Sequence, residues 1–214
     1  MSIKISIKKT ISDKDVKNYV LFCNENFKIN GINKISLKNQ SKQIEKSINS
    51  FKLKDKNFLS LNINPTQKII LIKIEKIHNS TEIEKIGAKF FNYIKSNSIF
   101  DVTIFNNNIR ETSNKNPNFL DEFLHGAKLK SYNFDKYKSK RKNEIFNIVI
   151  SSDNSPLKFD QNKRYNSLLE GTNFTKDLVS EPGNILHPDE YARRLKQLSK
   201  YGLKVVIYDK NKLK

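Results

Sequence analysis

The chain has 214 residues, longer than one typical domain and short for two complete ones. Its 36% hydrophobic and 29% charged residues are enough for a globular core beneath a very polar surface. A single cysteine, Cys23, excludes an intrachain disulfide, and no apolar run approaches the ~18 residues that span a bilayer, which excludes a membrane-crossing helix.

Forty Lys and Arg against 22 Asp and Glu give a formal charge of +18, a balance that suits a polyanionic partner such as nucleic acid. Lys, Ile and Asn nevertheless recur in core-patterned and surface-patterned positions alike, so a coding bias is the simpler account. The N-terminus, MSIKISIKK, alternates Ile with Lys where a signal peptide would have a continuous apolar stretch. A reduced cytoplasmic location without a membrane partner is the expectation.

In chain order, Ile3, Ile5 and Ile7 alternate with Lys4, Ser6 and Lys8, the period of a strand with one buried face. Tyr19–Cys23 is continuously apolar, as in a strand covered on both faces. Residues 24–56 hold only short apolar islands (Ile29, Ile32, Ile35, Leu37) and one short helix near Lys42–Ser50. Phe58–Ile63 and Lys68–Ile77 are strands flanking the turn Asn64-Pro65-Thr66-Gln67. Thr81 and Glu84 form a capping box for a helix with the stripe Ile83, Ile86, Phe90, Tyr93, Ile94. Phe100–Phe105 is the next strand, Asn106–Asn116 a polar loop, and Pro117 opens a helix with the stripe Leu120, Phe123, Leu124, Ala127. Ile145–Ile150 is a final strand of this region, and strands alternating with helices predict an α/β layered domain with a largely parallel or mixed sheet.

Ser151–Pro156 is a polar linker, and the next helix runs through Leu168, Leu169, Leu178 and Val179. Gly171 and Thr172 mark a place on it for close approach of a second backbone. Glu181-Pro182-Gly183-Asn184 stops that helix. Another starts at Pro188, with Asp189 and Glu190 at the positive end of its dipole and Gly202 past its C-terminus. Leu203–Tyr208 follows as one strand without a partner, so the sequence reads as cut short after the first strand of a larger domain.

Few residues here suggest chemistry. Asp121, Glu122 and His125 share a helix face at a spacing that suits a metal, but opposite Leu120, Phe123 and Leu124 they read as a solvated polar face. His78 is a loop residue, and His187 starts a helix. Cys23 lacks a basic neighbour or helix start that would activate its thiol. Lys128–Lys142 interleaves basic residues with Tyr132, Phe134 and Tyr137, a mix that holds phosphates and stacks bases; Lys138, Lys140, Arg141 and Lys142 are its candidate nucleic-acid contacts.

Two segments carry a family resemblance. Thr172–Leu195, above all Lys176-Asp177-Leu178-Val179, Pro182, Asn184, Pro188 and Ala192, resembles the start of the catalytic domain in leucyl aminopeptidases, the cytosolic di-metal exopeptidases. Gly126-Ala127-Lys128-Leu129, then Tyr132-Asn133-Phe134-Asp135-Lys136-Tyr137-Lys138, is similar to a segment near the end of that family's N-terminal domain. The resemblance covers Gly126–Asp209, and residues 1–125 agree with it in element order. It implies a macro-domain-like N-terminal α/β domain over 1–156, its mixed sheet flanked by helices. An interdomain helix over 157–180 and the truncated start of an α/β catalytic domain over 181–214 would follow.

For the complete protein it implies removal of N-terminal amino acids from peptides by a cytoplasmic homohexamer using two divalent ions, Mn²⁺ or Zn²⁺. It places the metal ligands, a catalytic lysine and a transition-state arginine beyond Lys214. No catalytic residue, metal ligand or cofactor is therefore assigned in this chain, which is expected to be inactive alone. A macro-domain phosphate site would want a Gly-rich loop, whereas Gly31, Gly87 and Gly126 stand isolated in sequence. The rival reading is a basic nucleic-acid-binding module without catalytic activity.

Overall fold

The computed structural model describes residues 2–12, 15–26, 28–31, 44, 46, 57–74, 79–112, 116–140, 144–151 and 162–212. They form two compact units, Met1–Leu169 and Glu170–Lys214. The first is built on a six-stranded sheet of order β1-β6-β5-β2-β4-β3, with β1 Ser2–Lys8, β2 Asn18–Cys23, β3 Phe58–Asn64, β4 Gln67–Lys73, β5 Asp101–Phe105 and β6 Ile145–Ser151. All neighbours run parallel except the β3–β4 hairpin, which turns through Pro65 and Thr66, so the sheet is mixed. Helices α1 (Ser80–Ser96), α2 (Asn106–Thr112) and α3 (Phe119–Ser131) belong to this unit, and α4 (Asn162–Ser180) starts in it.

Period-two alternation along β2 sends its side chains to two separate cores. Val20 and Phe22 join Ile70, Ile72, Ile104, Phe146 and Ile148 beneath the apolar faces of α1 and α3. Tyr19, Leu21 and Cys23 join Ile69, Leu71, Phe105, Ile29 and Ile44 on the other side. Tyr19–Cys23 is thus buried on both faces, which is why the run carries no polar residue. At the sheet edge β1 behaves differently: Ile3 and Ile5 are half-buried against the first core, and Ile7 is exposed.

Helix α1 buries Ile83, Gly87, Phe90, Phe91 and Ile94. Its cap is not the expected Thr81–Glu84 box. The helix starts earlier, and Asn79 Oδ1 accepts the backbone N–H of Glu82 at 2.9 Å. That frees the Glu84 carboxylate for a partner on α3.

The polar stretch after β5 was expected as a loop, and it forms helix α2. The reason is Asn108, which is fully buried. Its Oδ1 accepts the Phe22 backbone N–H at 2.5 Å, and its amide donates to the carbonyls of Phe22 at 3.0 Å and Asn30 at 2.7 Å. The β2–β5 register ends at Val20↔Ile104, so this side chain takes over where the ladder stops. Local propensity favours a turn for three consecutive asparagines, and this long-range satisfaction of β2 overrides it.

In the second unit, Pro188 occupies the first turn of α5 (Pro188–Lys196), a 3₁₀ turn Gln197–Tyr201 continues it, and Gly202 closes it at φ 83°. A left-handed residue there costs glycine nothing. Leu203–Tyr208, expected as a strand, pairs with no strand among the described residues, and Leu203, Val206 and Tyr208 are exposed. Among the described residues nothing lies within 4 Å of the Cβ position of Gly171, so the expected close approach of a second backbone is not seen there. The short helix expected near Lys42–Ser50 lies largely outside the described residues, as do Ile32, Ile35, Leu37, most of the Ser151–Pro156 linker, and His78.

Candidate functional site

Two glycines that stand far apart in sequence meet at the crossing of α1 and α3. A Cβ on Gly87 would land on the Phe123 carbonyl, and one on Gly126 would land on the Glu84 carbonyl. With both absent, the helices pack backbone against backbone, and the polar residues beside the crossing are drawn inside. Glu122 and His125 are 4% and 6% exposed. The expected solvated face is therefore corrected for these two residues, and Asp121 is half-buried.

The cluster draws on three helices. Glu84 Oε1 lies 2.9 Å from His125 Nδ1. Glu122 Oε1 accepts the Ser80 hydroxyl at 2.6 Å and the Tyr165 hydroxyl, from the first turn of α4, at 3.3 Å. The Tyr165 ring tilts over the His125 imidazole with centroids 5.1 Å apart. Among the described residues, two buried atoms of the cluster, Glu122 Oε2 and His125 Nε2, have no hydrogen-bond partner. Burial, and then the Glu122 charge, push the Asp121 pKa above the ordinary carboxylate value, while burial pulls Lys128 below the ordinary lysine value.

With the Glu84 carboxylate accepting at Nδ1, the neutral ring has its acceptor at Nε2. The cluster goes no further toward hydrolysis. Among the described residues no three His, Cys, Asp or Glu side chains are grouped so as to hold a metal ion, so these residues do not fit a two-metal centre. Cys23 is buried, and desolvation raises its thiol to about 12, far from a thiolate at neutral pH.

Open parallel sheets bind ligands outside the carboxyl ends of their strands, where the strand order reverses. Here that point lies between β2 and β5, and the Asn108 side chain occupies it with three bonds to backbone. Of the candidate basic contacts, Lys138 and Lys140 are exposed beside Tyr137, which packs edge-on against Phe134, while Arg141 and Lys142 lie outside the described residues. His187 is the exposed N-cap of α5 and makes no side-chain capping bond. In the second unit, Arg194 bridges the nearly inaccessible carboxylate of Glu181 at 2.9 Å and Glu190 at 2.8 Å. Sequence reasoning missed this network and the Glu84–His125 pair, since neither partner choice follows from local pattern. Among the described residues no helix is long and apolar enough to cross a membrane.

Comparison with known proteins adds to this geometry. Residues 42–141 match the family model of the N-terminal domain of the cytosol aminopeptidase family, a span that holds the whole crossing of α1 and α3 and reaches well upstream of Gly126. A probable cytosol aminopeptidase of Phytoplasma mali is 43% identical over 98 residues, 43% of this chain and 20% of the relative. One from Caulobacter vibrioides is 32% identical over 131 residues, 58% of this chain and 25% of the relative. The aligned part of the chain thus spans a quarter or less of these curated relatives. Among solved structures, a mutant tomato leucine aminopeptidase shares the fold over 99% of this chain and 45% of its own, with a TM-score of 0.71 at 18% identity. A bottromycin maturation enzyme does so over 92% and 40%, with a TM-score of 0.60 at 12% identity. Residues 42–141 are therefore assigned to the N-terminal domain of the cytosol aminopeptidase family.

Proposed function

We propose that the chain is the amino-terminal portion of a cytoplasmic exopeptidase that removes N-terminal residues from peptides. In this reading Met1–Leu169 serves the assembly and leaves hydrolysis to residues outside the chain. The family match over 42–141 carries the reading. The complete enzyme would use two divalent ions, Mn²⁺ or Zn²⁺, and assemble as a homohexamer. Because the described residues do not fit such a centre, no hydrolytic step is derived from them.

The test uses the purified 214-residue chain with Mn²⁺ or Zn²⁺ and a leucyl chromogenic amide. The expected result is no turnover above buffer. When the chain is mixed with the catalytic portion of the Phytoplasma mali relative, the two should co-elute. Chelator-sensitive turnover by the chain alone would overturn its inactivity, and separate elution would overturn its place in the assembly. A second reading, contact with nucleic acid, is favoured by the +18 charge and by exposed Lys138 and Lys140 beside exposed Tyr137.

A further inference from the structure

The start of α4 rests on its own unit through few side chains. Lys163, Arg164, Asn166, Ser167 and Leu168 are exposed, and Tyr165 is half-buried. No residue from this turn belongs to either buried core cluster. What is seen to hold Tyr165 is polar: its hydroxyl donates to Glu122 Oε1 across 3.3 Å, long for an O–H···O bond, and its ring covers His125. One exposed bond, Lys128 Nζ to Asn166 Oδ1 at 3.2 Å, supports the contact. Burial, then the Glu122 charge, raise the Tyr165 pKa, so the hydroxyl remains a donor at neutral pH.

His125 Nε2 and Glu122 Oε2 are buried without a hydrogen-bond partner among the described residues, an arrangement that water would relieve. The α1–α3 crossing cannot admit it, because its backbones are in contact. The side on which Tyr165 bonds Glu122 and lies against His125 can. We infer that Tyr165 is a latch over the Glu84–His125 pair, and that it opens in the native protein to expose His125 Nε2 and Glu122 Oε2. The shut state leaves two polar atoms unpaired among the described residues, and the open state gives up one long bond, the exposed Lys128–Asn166 bond and a ring contact. Local opening of this kind needs no global unfolding.

Diethylpyrocarbonate, which acylates accessible neutral imidazole nitrogen, tests the latch in the full chain, with peptide mass mapping as the readout. His187, exposed at the start of α5, is the internal reference. His125 should react about tenfold more slowly than His187, at a rate independent of low urea, as local opening requires. Tyr165→Ala should raise the His125 rate by about tenfold and leave His187 unchanged, and Tyr165→Phe should fall between, since the ring remains and only the hydroxyl is lost. A His125 rate that equals that of His187, that is untouched by Tyr165→Ala, or that appears only on global unfolding would overturn the latch. If Tyr165→Ala does not fold, wild-type amide exchange decides: amides of 165–169 should exchange at least about a hundredfold faster than those of 122–127, and equal protection would overturn it.

Discussion

The Cβ that Gly126 lacks would occupy the carbonyl oxygen of Glu84, so one missing methyl group sets the distance between α1 and α3. The same closeness brings the Glu84 carboxylate to His125. Gly126→Ala should therefore separate the helices and destabilise the unit by about 1–3 kcal/mol or more, the usual cost of overpacking. Gly171→Ala should act oppositely, since its Cβ meets nothing within 4 Å in an exposed helix, and gain about 0.5–1 kcal/mol. Urea midpoints of both variants check the pair; equal shifts would refute the close crossing.

Asn108 is the side chain on which the end of β2 depends. Asn108→Leu keeps the volume, removes the acceptor of the Phe22 N–H and leaves the Phe22 carbonyl a long 3.5 Å bond from the Thr112 hydroxyl, which should cost about 2–4 kcal/mol from poorly satisfied buried backbone. Asn108→Asp should be nearly as damaging, because a carboxylate cannot donate to the two carbonyls that Asn108 serves. Denaturant unfolding measures both, and a neutral Asn108→Asp would show that the donated bonds contribute nothing.

Hydrogen bonds from Arg193 and Arg194 hold the Glu190 pKa at about 2, against an ordinary value of 4.5. A depressed carboxylate contributes stability that is fully present above pH 4.5 and is lost as pH falls toward 2. Amides at the start of α5 should accordingly keep their protection from neutral pH to about 4.5 and lose part of it below. Glu190→Gln should abolish that pH dependence. Carbon-detected titration of Glu190 gives the midpoint directly, and a value near 4.5 would contradict the bidentate pairing.

If the basic segment contacts nucleic acid, its binding is steep in salt, because each neutralised phosphate releases counterion. Replacing Lys138, Lys140, Arg141 and Lys142 with Ser should flatten the slope of log affinity against log salt by up to about 3. Fluorescence anisotropy with a single-stranded oligonucleotide reads this. An unchanged slope would remove the segment from any such role.

Leu203–Tyr208 has no ladder partner among the described residues, so its amides should exchange almost as fast as an unstructured peptide's in the 214-residue chain. Strong protection there in a monodisperse monomer would mean that it has found a strand. Val206→Lys should reduce any self-association, because a charge on an exposed strand edge opposes pairing.

Much of the first unit is legible in sequence because its signals are local. The apolar run at Tyr19–Cys23, the hairpin around Pro65 and the stripe from Ile83 to Ile94 each reflect a period fixed within one element. The family segment Gly126–Lys138 lies inside the matched region, whereas Thr172–Leu195 lies outside it. What sequence does not show is which elements meet. Asn106–Asn108 looks like a loop because the partner of Asn108 is 86 residues away. Glu122 and His125 look solvated because the helix pattern of α3 reveals one apolar stripe, and nothing in it shows that a glycine would let a second helix sink against the other side. Thr81 looks like a cap because Asn79 and Thr81 both suit one, and the position of the first turn is settled by packing.

The pairing of β1 with β6 matches Ser2 to Ile145, so Ser2 must wait for 143 further residues before its ladder partner is made. At about 5–20 residues per second this wait lasts on the order of ten seconds or more. Throughout it, a bare strand with three isoleucines must avoid sticking to anything else in the cell. Lys4 and Lys8, set between and beyond those isoleucines, give the waiting segment charge on its other face. The order of synthesis thus makes the alternation along β1 a safeguard during birth as well as a register in the finished sheet.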